Sequence, residues 1–82
     1  MSDYKPIPCS VYDRYEIAIL HHTPLRTSWR DPTGVTHIET LQPLDLITRG
    51  GEEFLRARKA DGQTIQLRLD YILEAVPLHQ NP

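Results

Sequence analysis

At Pro24 the hydrophobic period of this chain changes, and that change limits the possible folds more than any other feature. Upstream, SVYDRYEIAILHH places apolar residues three to four apart, the spacing of one helix face. Pro24 cannot continue a helix and disfavours helical geometry at Thr23, so a helix is expected over 10–22. Ser10 is its expected N-cap, with Asp13 three residues on in a weak variant of the capping box. Downstream the period is two. LRTSW sets Leu25, Thr27 and Trp29 on one side, and DPTG is a good turn. VTHIETL has an ambiguous phase: either Val35, His37, Glu39 and Leu41 face inward, or Thr36, Ile38 and Thr40 do. LDLITRGG is a short strand closed by Gly50-Gly51, and EFLRARK is another. Ala60-Asp61-Gly62-Gln63 is a hairpin turn. TIQLRL then sets Ile65, Leu67 and Leu69 against Gln66 and Arg68, and YILEAV is the last strand candidate.

One helix followed by five or six short strands predicts a mainly β (α+β) fold. The expected architecture is a small, strongly bent antiparallel barrel or sandwich with the helix as a lid over one open end. The 82 residues suffice for one domain. It divides into an extended arm (1–9), the helix (10–22), the strands (24–76) and a polar tail (77–82).

The formal net charge is −2, with nine Lys and Arg against eleven Asp and Glu. Proteins that hold nucleic acid through its backbone carry a basic excess, so direct nucleic-acid binding is disfavoured. A slightly acidic surface suits a partner that is itself basic. Cys9 is the sole cysteine, which excludes an internal disulfide and fits a reducing compartment. MSDYKPIPCS has no signal-peptide h-region, and no run approaches the roughly 18 apolar residues of a membrane span. A cytoplasmic protein without membrane association is expected.

Catalytic and metal chemistry finds little support. Cys9 with His21 or His22 can be drawn as a thiol–imidazole pair, but nothing orients the imidazole or supplies an oxyanion hole. Adjacent helical residues diverge by about 100°, so His21-His22 lacks the i, i+3 or i, i+4 spacing of a chelate. One core-facing and one exposed histidine is the simpler reading. No catalytic residue, metal site or cofactor is assigned.

Two binding readings remain. The strand region 24–69 carries Arg26, Arg30, Arg49, Arg56, Arg58, Lys59 and Arg68. It would make an Sm-like or OB-like RNA module, although Asp31, Glu39, Asp45, Glu52, Glu53 and Asp61 nearly balance that charge. Only Trp29 and Phe54 are candidate base-stacking platforms there, and both have core-like phase. The other reading uses the helix. Val11, Tyr15, Ala18, Ile19 and His22 form its core stripe, leaving Tyr12, Asp13, Glu16 and Leu20 outward. A tyrosine flanked by carboxylates can fill a pocket while accepting charge-assisted hydrogen bonds from Arg and Lys.

The stretch Y-x-P-I-x-C-x-x-Y-D-x-x-E-x-A-x-x-H-H runs from Tyr4 to His22. It resembles the opening of the Rho-binding antiterminator (Rof/YaeO-like) family. Later pieces follow in the same order: Asp45-Leu46 with Arg49, Glu53 and Leu55, then Leu67-Arg68-Leu69-Asp70 with Ile72. The resemblance implies an N-terminal helix on a bent, Sm-like barrel or sandwich. It implies a bacterial inhibitor of Rho-dependent transcription termination, a monomer when free. Its partner would be the N-terminal RNA-binding domain of Rho, whose primary RNA site it covers. The family's contact residues fall on Tyr12, Asp13 and Glu16, with Leu20 beside them on the same face and Arg49 as a secondary contact. Ser10 and Val11 stand where relatives carry an acidic pair, which removes negative charge beside that face.

Overall fold

The computed structural model describes residues 3–78. One helix, α1 (Cys9–Leu20), precedes five strands: β1 (Leu25–Arg30), β2 (Thr36–Arg49), β3 (Glu52–Arg58), β4 (Thr64–Arg68) and β5 (Ile72–Pro77). A short 3₁₀ turn, Leu69–Tyr71, links β4 to β5. The strands form one antiparallel sheet in the order β4-β3-β2-β1-β5. The fold is therefore mainly β with a single helix, as the change of period at Pro24 predicts. The two end strands are joined by the 3₁₀ turn and not by a hydrogen-bonded ladder, so the sheet curls without closing.

The turns form for local reasons. Asp31 Oδ1 accepts hydrogen bonds from the Thr33 and Val35 amides, at 2.9 and 3.0 Å, and from the Thr33 hydroxyl at 2.6 Å. This caps the β1–β2 connection with one side chain. Gly50 and Gly51 have φ of +58° and +78°, as a two-residue hairpin with right-handed strand twist requires.

Two strand candidates prove to be one. β2 runs unbroken from Thr36 to Arg49, pairing with β1 as far as Leu41 and with β3 from Gln42 onward. The changeover falls at Pro43, beside a register shift between Pro43 and Asp45. A proline at a bulge withdraws no ladder hydrogen bond, so Pro43 bends the strand where it changes partner and does not end it. The phase ambiguity of residues 35–41 resolves with His37, Glu39 and Leu41 inward and Thr36, Ile38 and Thr40 outward.

Leu25, Leu41, Leu55, Ala57 and Leu69 are buried at the centre, with Trp29 and Leu67 beside them. Tyr15 and Ala18 close the core from α1, and Ile7, Val11 and Ile19 pack partly against it. Buried Thr27 donates its hydroxyl proton to the Leu25 carbonyl at 3.1 Å.

Several expectations need correction. Ser10 is not the N-cap. Pro8 holds that position in an extended conformation (φ −59°, ψ 145°), and its carbonyl accepts from the Val11 and Tyr12 amides. Because the proline ring presets an extended entry, the helix starts at Cys9 with no side-chain cap. The helix also stops at Leu20, short of His22. The Thr23 amide reaches the Ala18 carbonyl at 2.9 Å and the His22 amide reaches that of Ile19 at 3.3 Å. With His22 at φ +54°, this is a Schellman ending. It turns His22 into solvent, so His22 is not core-facing, and His21 is exposed as well. Phe54 lies on the face of β3 opposite to buried Leu55 and Ala57, so its phase is not that of the core. Arg68 shares the Gln66 face, yet only 11% of its side chain is exposed. Of the expected polar tail, Pro77 belongs to β5 and Leu78 is exposed; positions 79–82, like positions 1–2 of the arm, lie outside the described residues.

Candidate protein-binding face

α1 packs against β2 through Tyr15 and Ala18, which fixes the opposite side of the helix toward solvent. Asp13 and Glu16 are exposed there, and Leu20 is 74% exposed. Ile17, 56% exposed, joins them. Leucine and isoleucine side chains left in water beside two carboxylates suit a buried interface.

Between this helix edge and β2 lies a groove of about 540 Å³. Tyr12, Glu16, Ile17, Leu20, Asp45 and Leu46 line it, so its floor is apolar and its rim acidic. Tyr12 is half-buried and does not simply protrude. Burial pushes its phenol pKa up, and the Glu53 and Glu16 carboxylates push it further, with a hydrogen bond to Glu53 adding to the effect. Asp45 is held in place by Arg56, whose Nε and Nη2 donate to the two carboxylate oxygens at 2.9 and 2.8 Å. Those hydrogen bonds lower the Asp45 pKa against the opposing effect of desolvation.

Three of the five expected contact residues, Tyr12, Glu16 and Leu20, meet in this groove. Asp13 is exposed one helix position beyond Tyr12, outside the groove lining. Arg49 stands apart, as the last residue of β2, with its guanidinium 5.9 Å from the Phe54 ring centre. Ile17, Asp45, Leu46 and Glu53 complete the face. Ile17 was legible on the helical wheel, about 40° past Asp13. Asp45 and Leu46 reach the groove only through the packing of β2 on α1, for which local sequence carries no signal.

Three of the seven basic residues of the strand region, Arg56, Lys59 and Arg68, are paired with carboxylates. Arg56 is committed to Asp45. Arg68 donates to Asp70 at 2.6 and 2.7 Å and to Glu52 at 3.2 Å, pairs with Asp3 at 3.0 Å, and lies 4.2 Å from the Tyr71 ring centre. Lys59 faces Glu39 at 3.7 Å. A phosphate-tracking stripe needs cations free to exchange counterions, and internal ion pairs remove these three from it.

Among the described residues, no group of three His, Cys, Asp or Glu side chains is placed to hold a metal ion. The helix separates Cys9 from His21 by about 18 Å, so the thiol–imidazole pair does not form. No helix among the described residues is long and apolar enough to cross a membrane.

Comparison with known proteins agrees with this architecture. Residues 6–82 match the family model described as modulator of Rho-dependent transcription termination (ROF). The proteins called rof from Escherichia coli K12 and Shigella flexneri are each 39% identical over 71 residues, covering 84% of this chain and 76% of theirs. A solved structure, proteasome accessory factor B/C of Arthrobacter aurescens, superposes with a TM-score of 0.80 at 17% identity over 96% of this chain. Only 13% of that longer protein is covered, and the likeness concerns the fold alone. With the family match extending across both α1 and the whole sheet, this chain belongs to the ROF family of modulators of Rho-dependent transcription termination.

Proposed function

We propose that this protein inhibits Rho-dependent termination by docking α1 on the N-terminal RNA-binding domain of Rho, covering its primary RNA site. Tyr12, Asp13, Glu16 and Leu20 form the contact, with Arg49 as a secondary one. The observation that carries this reading is the pairing of two carboxylates with exposed Ile17 and Leu20 on one helix face, beside an acid-rimmed groove. An RNA-binding cleft is basic and holds pockets for bases. An acidic helix with a tyrosine and two aliphatic side chains offers the same donors their acceptors and fills the same space. No bond is made or broken. The protein acts in the cytoplasm as a monomer, by competing affinity alone.

Glu16 and Asp13 carry the electrostatic part, Leu20 and Ile17 the apolar part. Tyr12 supplies a ring edge held in place by Glu53. The positions occupied by Ser10 and Val11 add no charge here, so binding rests on fewer carboxylates and falls less steeply with salt than in relatives with an acidic pair.

Asp13→Lys is expected to weaken Rho binding by about 2 kcal/mol or more in calorimetry, with an unchanged fold by circular dichroism. Unaltered affinity would overturn this interface. The RNA-module reading requires instead that neutralising Arg56 and Arg58 cost RNA affinity. Gel shifts with labelled RNA, with and without Rho, separate the two, and tight RNA binding without Rho that is lost on neutralising Arg56 and Arg58 would defeat the proposal. The commitment of Arg56 to Asp45 already argues against that reading.

A further inference from the structure

A second cavity, of about 420 Å³, opens at another part of the sheet and shares no lining residue with the helix groove. Four of its lining residues carry aromatic rings. The His37 imidazole lies on the indole of Trp29 with ring centres 5.3 Å apart and planes 17° from parallel, and Phe54 and Tyr71 are also among the lining residues. His37 is fixed from the side: its Nε2 lies 2.7 Å from Asp31 Oδ2, and Asp31 is itself locked into the β1–β2 turn. The imidazole is nonetheless 38% exposed. A two-ring stack of set orientation, partly open to solvent and edged by further rings, is preorganised for a third planar ring.

The charges at this cavity are unequal. Asp31 is partnered by His37, Glu39 by Lys59 at 3.7 Å, and Arg68 by Asp70. Arg30 is the remaining lining cation; it is exposed and takes part in no ion pair among the described residues. Gln66, also exposed and lining the cavity, offers an amide that can both donate and accept, as the edge of a heterocyclic base requires. An aliphatic ligand would use none of these polar groups, and a simple anion would leave the ring wall unused.

We propose that this cavity is a nucleoside-phosphate site, in which the base stacks on His37 against the aromatic wall and Arg30 meets the phosphate. The phosphate-bearing nucleoside comes either as a free mononucleotide or as one residue of an RNA strand. The site is independent of the Rho-binding face, so the protein can hold such a ligand and its partner at once.

Trp29 is the only tryptophan, which makes its fluorescence a direct reporter of the cavity. The full-length protein is titrated with AMP, CMP, adenosine, and short oligo(A) and oligo(C) ribonucleotides. Saturable quenching by at least one phosphate-bearing ligand is expected, with adenosine weaker than AMP wherever AMP binds. Arg30→Gln should weaken binding about tenfold or more, and His37→Ala at least about fivefold. His37→Phe, which keeps a ring, should restore much of the affinity lost in His37→Ala. Asp13→Lys should leave all of these titrations unchanged. Response to mononucleotides identifies a free nucleotide as the source; response only to oligonucleotides, lost in Arg30→Gln, identifies RNA. No saturable quenching by any of the five ligands at millimolar concentration would overturn the site. So would binding that both Arg30→Gln and His37→Ala leave intact.

Discussion

Tyr12 illustrates how the proposed face is prepared before a partner arrives. Its ring packs partly on the core while its hydroxyl is hydrogen-bonded to Glu53 from β3, so strand and helix hold it jointly. Ordering the side chain in advance lowers the entropy cost of binding. Its phenol pKa is raised first by burial and then by the Glu53 and Glu16 carboxylates, which disfavour a nearby phenolate. Replacing Glu53 with glutamine removes one of those charges and leaves burial and Glu16. The Tyr12 titration midpoint, followed by NMR of the ring carbons, should therefore move down toward the ordinary value of about 10. A midpoint that stays in place would mean that Glu53 does not set the environment of Tyr12. Asp13 has no such constraint, which makes it the cleaner probe of the partner.

At the scale of elements, α1 is shaped more by its ends than by its length. Pro8 starts it without a side-chain cap, and His22 finishes it in the left-handed region. A histidine at φ +54° carries strain that glycine would not, roughly 1–2 kcal/mol for a residue with a Cβ. Glycine loses more freedom on folding, which offsets about 0.4–1 kcal/mol of that relief. His22→Gly is accordingly expected to stabilise the protein by a few tenths to about 1 kcal/mol in urea denaturation. His22→Val, β-branched in the same conformation, should destabilise it. A buried, core-facing histidine would give the opposite result for the glycine variant.

Across the whole molecule, Arg56, Lys59 and Arg68 are paired with carboxylates while Asp13 and Glu16 stand exposed on the helix. The paired carboxylates link folding to pH. Asp31 is held well below the usual carboxylate range, chiefly by hydrogen bonds from the Thr33 hydroxyl and His37. Burial pushes Asp70 up, but hydrogen bonds from Arg68 and the Lys5 amide more than offset it, leaving its pKa lowered. Asp45 is lowered by Arg56. In each case the folded state binds protons less readily than the unfolded chain, whose aspartates titrate near pH 3.9. The stabilisation is thus present above about pH 4 and is lost as pH falls through the lowered folded values. The thermal midpoint should stay nearly level from about pH 7 to 5 and drop between about pH 4 and 2. Asp70→Asn should lower the midpoint at neutral pH and flatten part of the acid decline. A wild-type midpoint insensitive to acid would show that these pairs do not stabilise the fold.

By itself the sequence determined the order and type of the elements. Apolar residues at period 3.6 before Pro24 and period two after it can bury a common core in few other ways, and Leu25, Thr27 and Trp29 did turn inward together. The outward helix residues Asp13, Glu16 and Leu20 were legible for the same reason, because periodicity alone assigns a face. Where backbone partners decide the outcome, local pattern was silent or misleading. Residues 35–41 and 44–51 read as two strands, yet β2 runs through both because the strand changes neighbour at Pro43. His22 reads as core, yet the Schellman hydrogen bonds turn it out. The strand arginines read as a basic surface, yet Arg56 and Arg68 find carboxylates brought near by strand pairing and by the 3₁₀ turn. Periodicity is a property of neighbours in the chain; ion pairs, strand register and the groove between α1 and β2 are properties of neighbours in space.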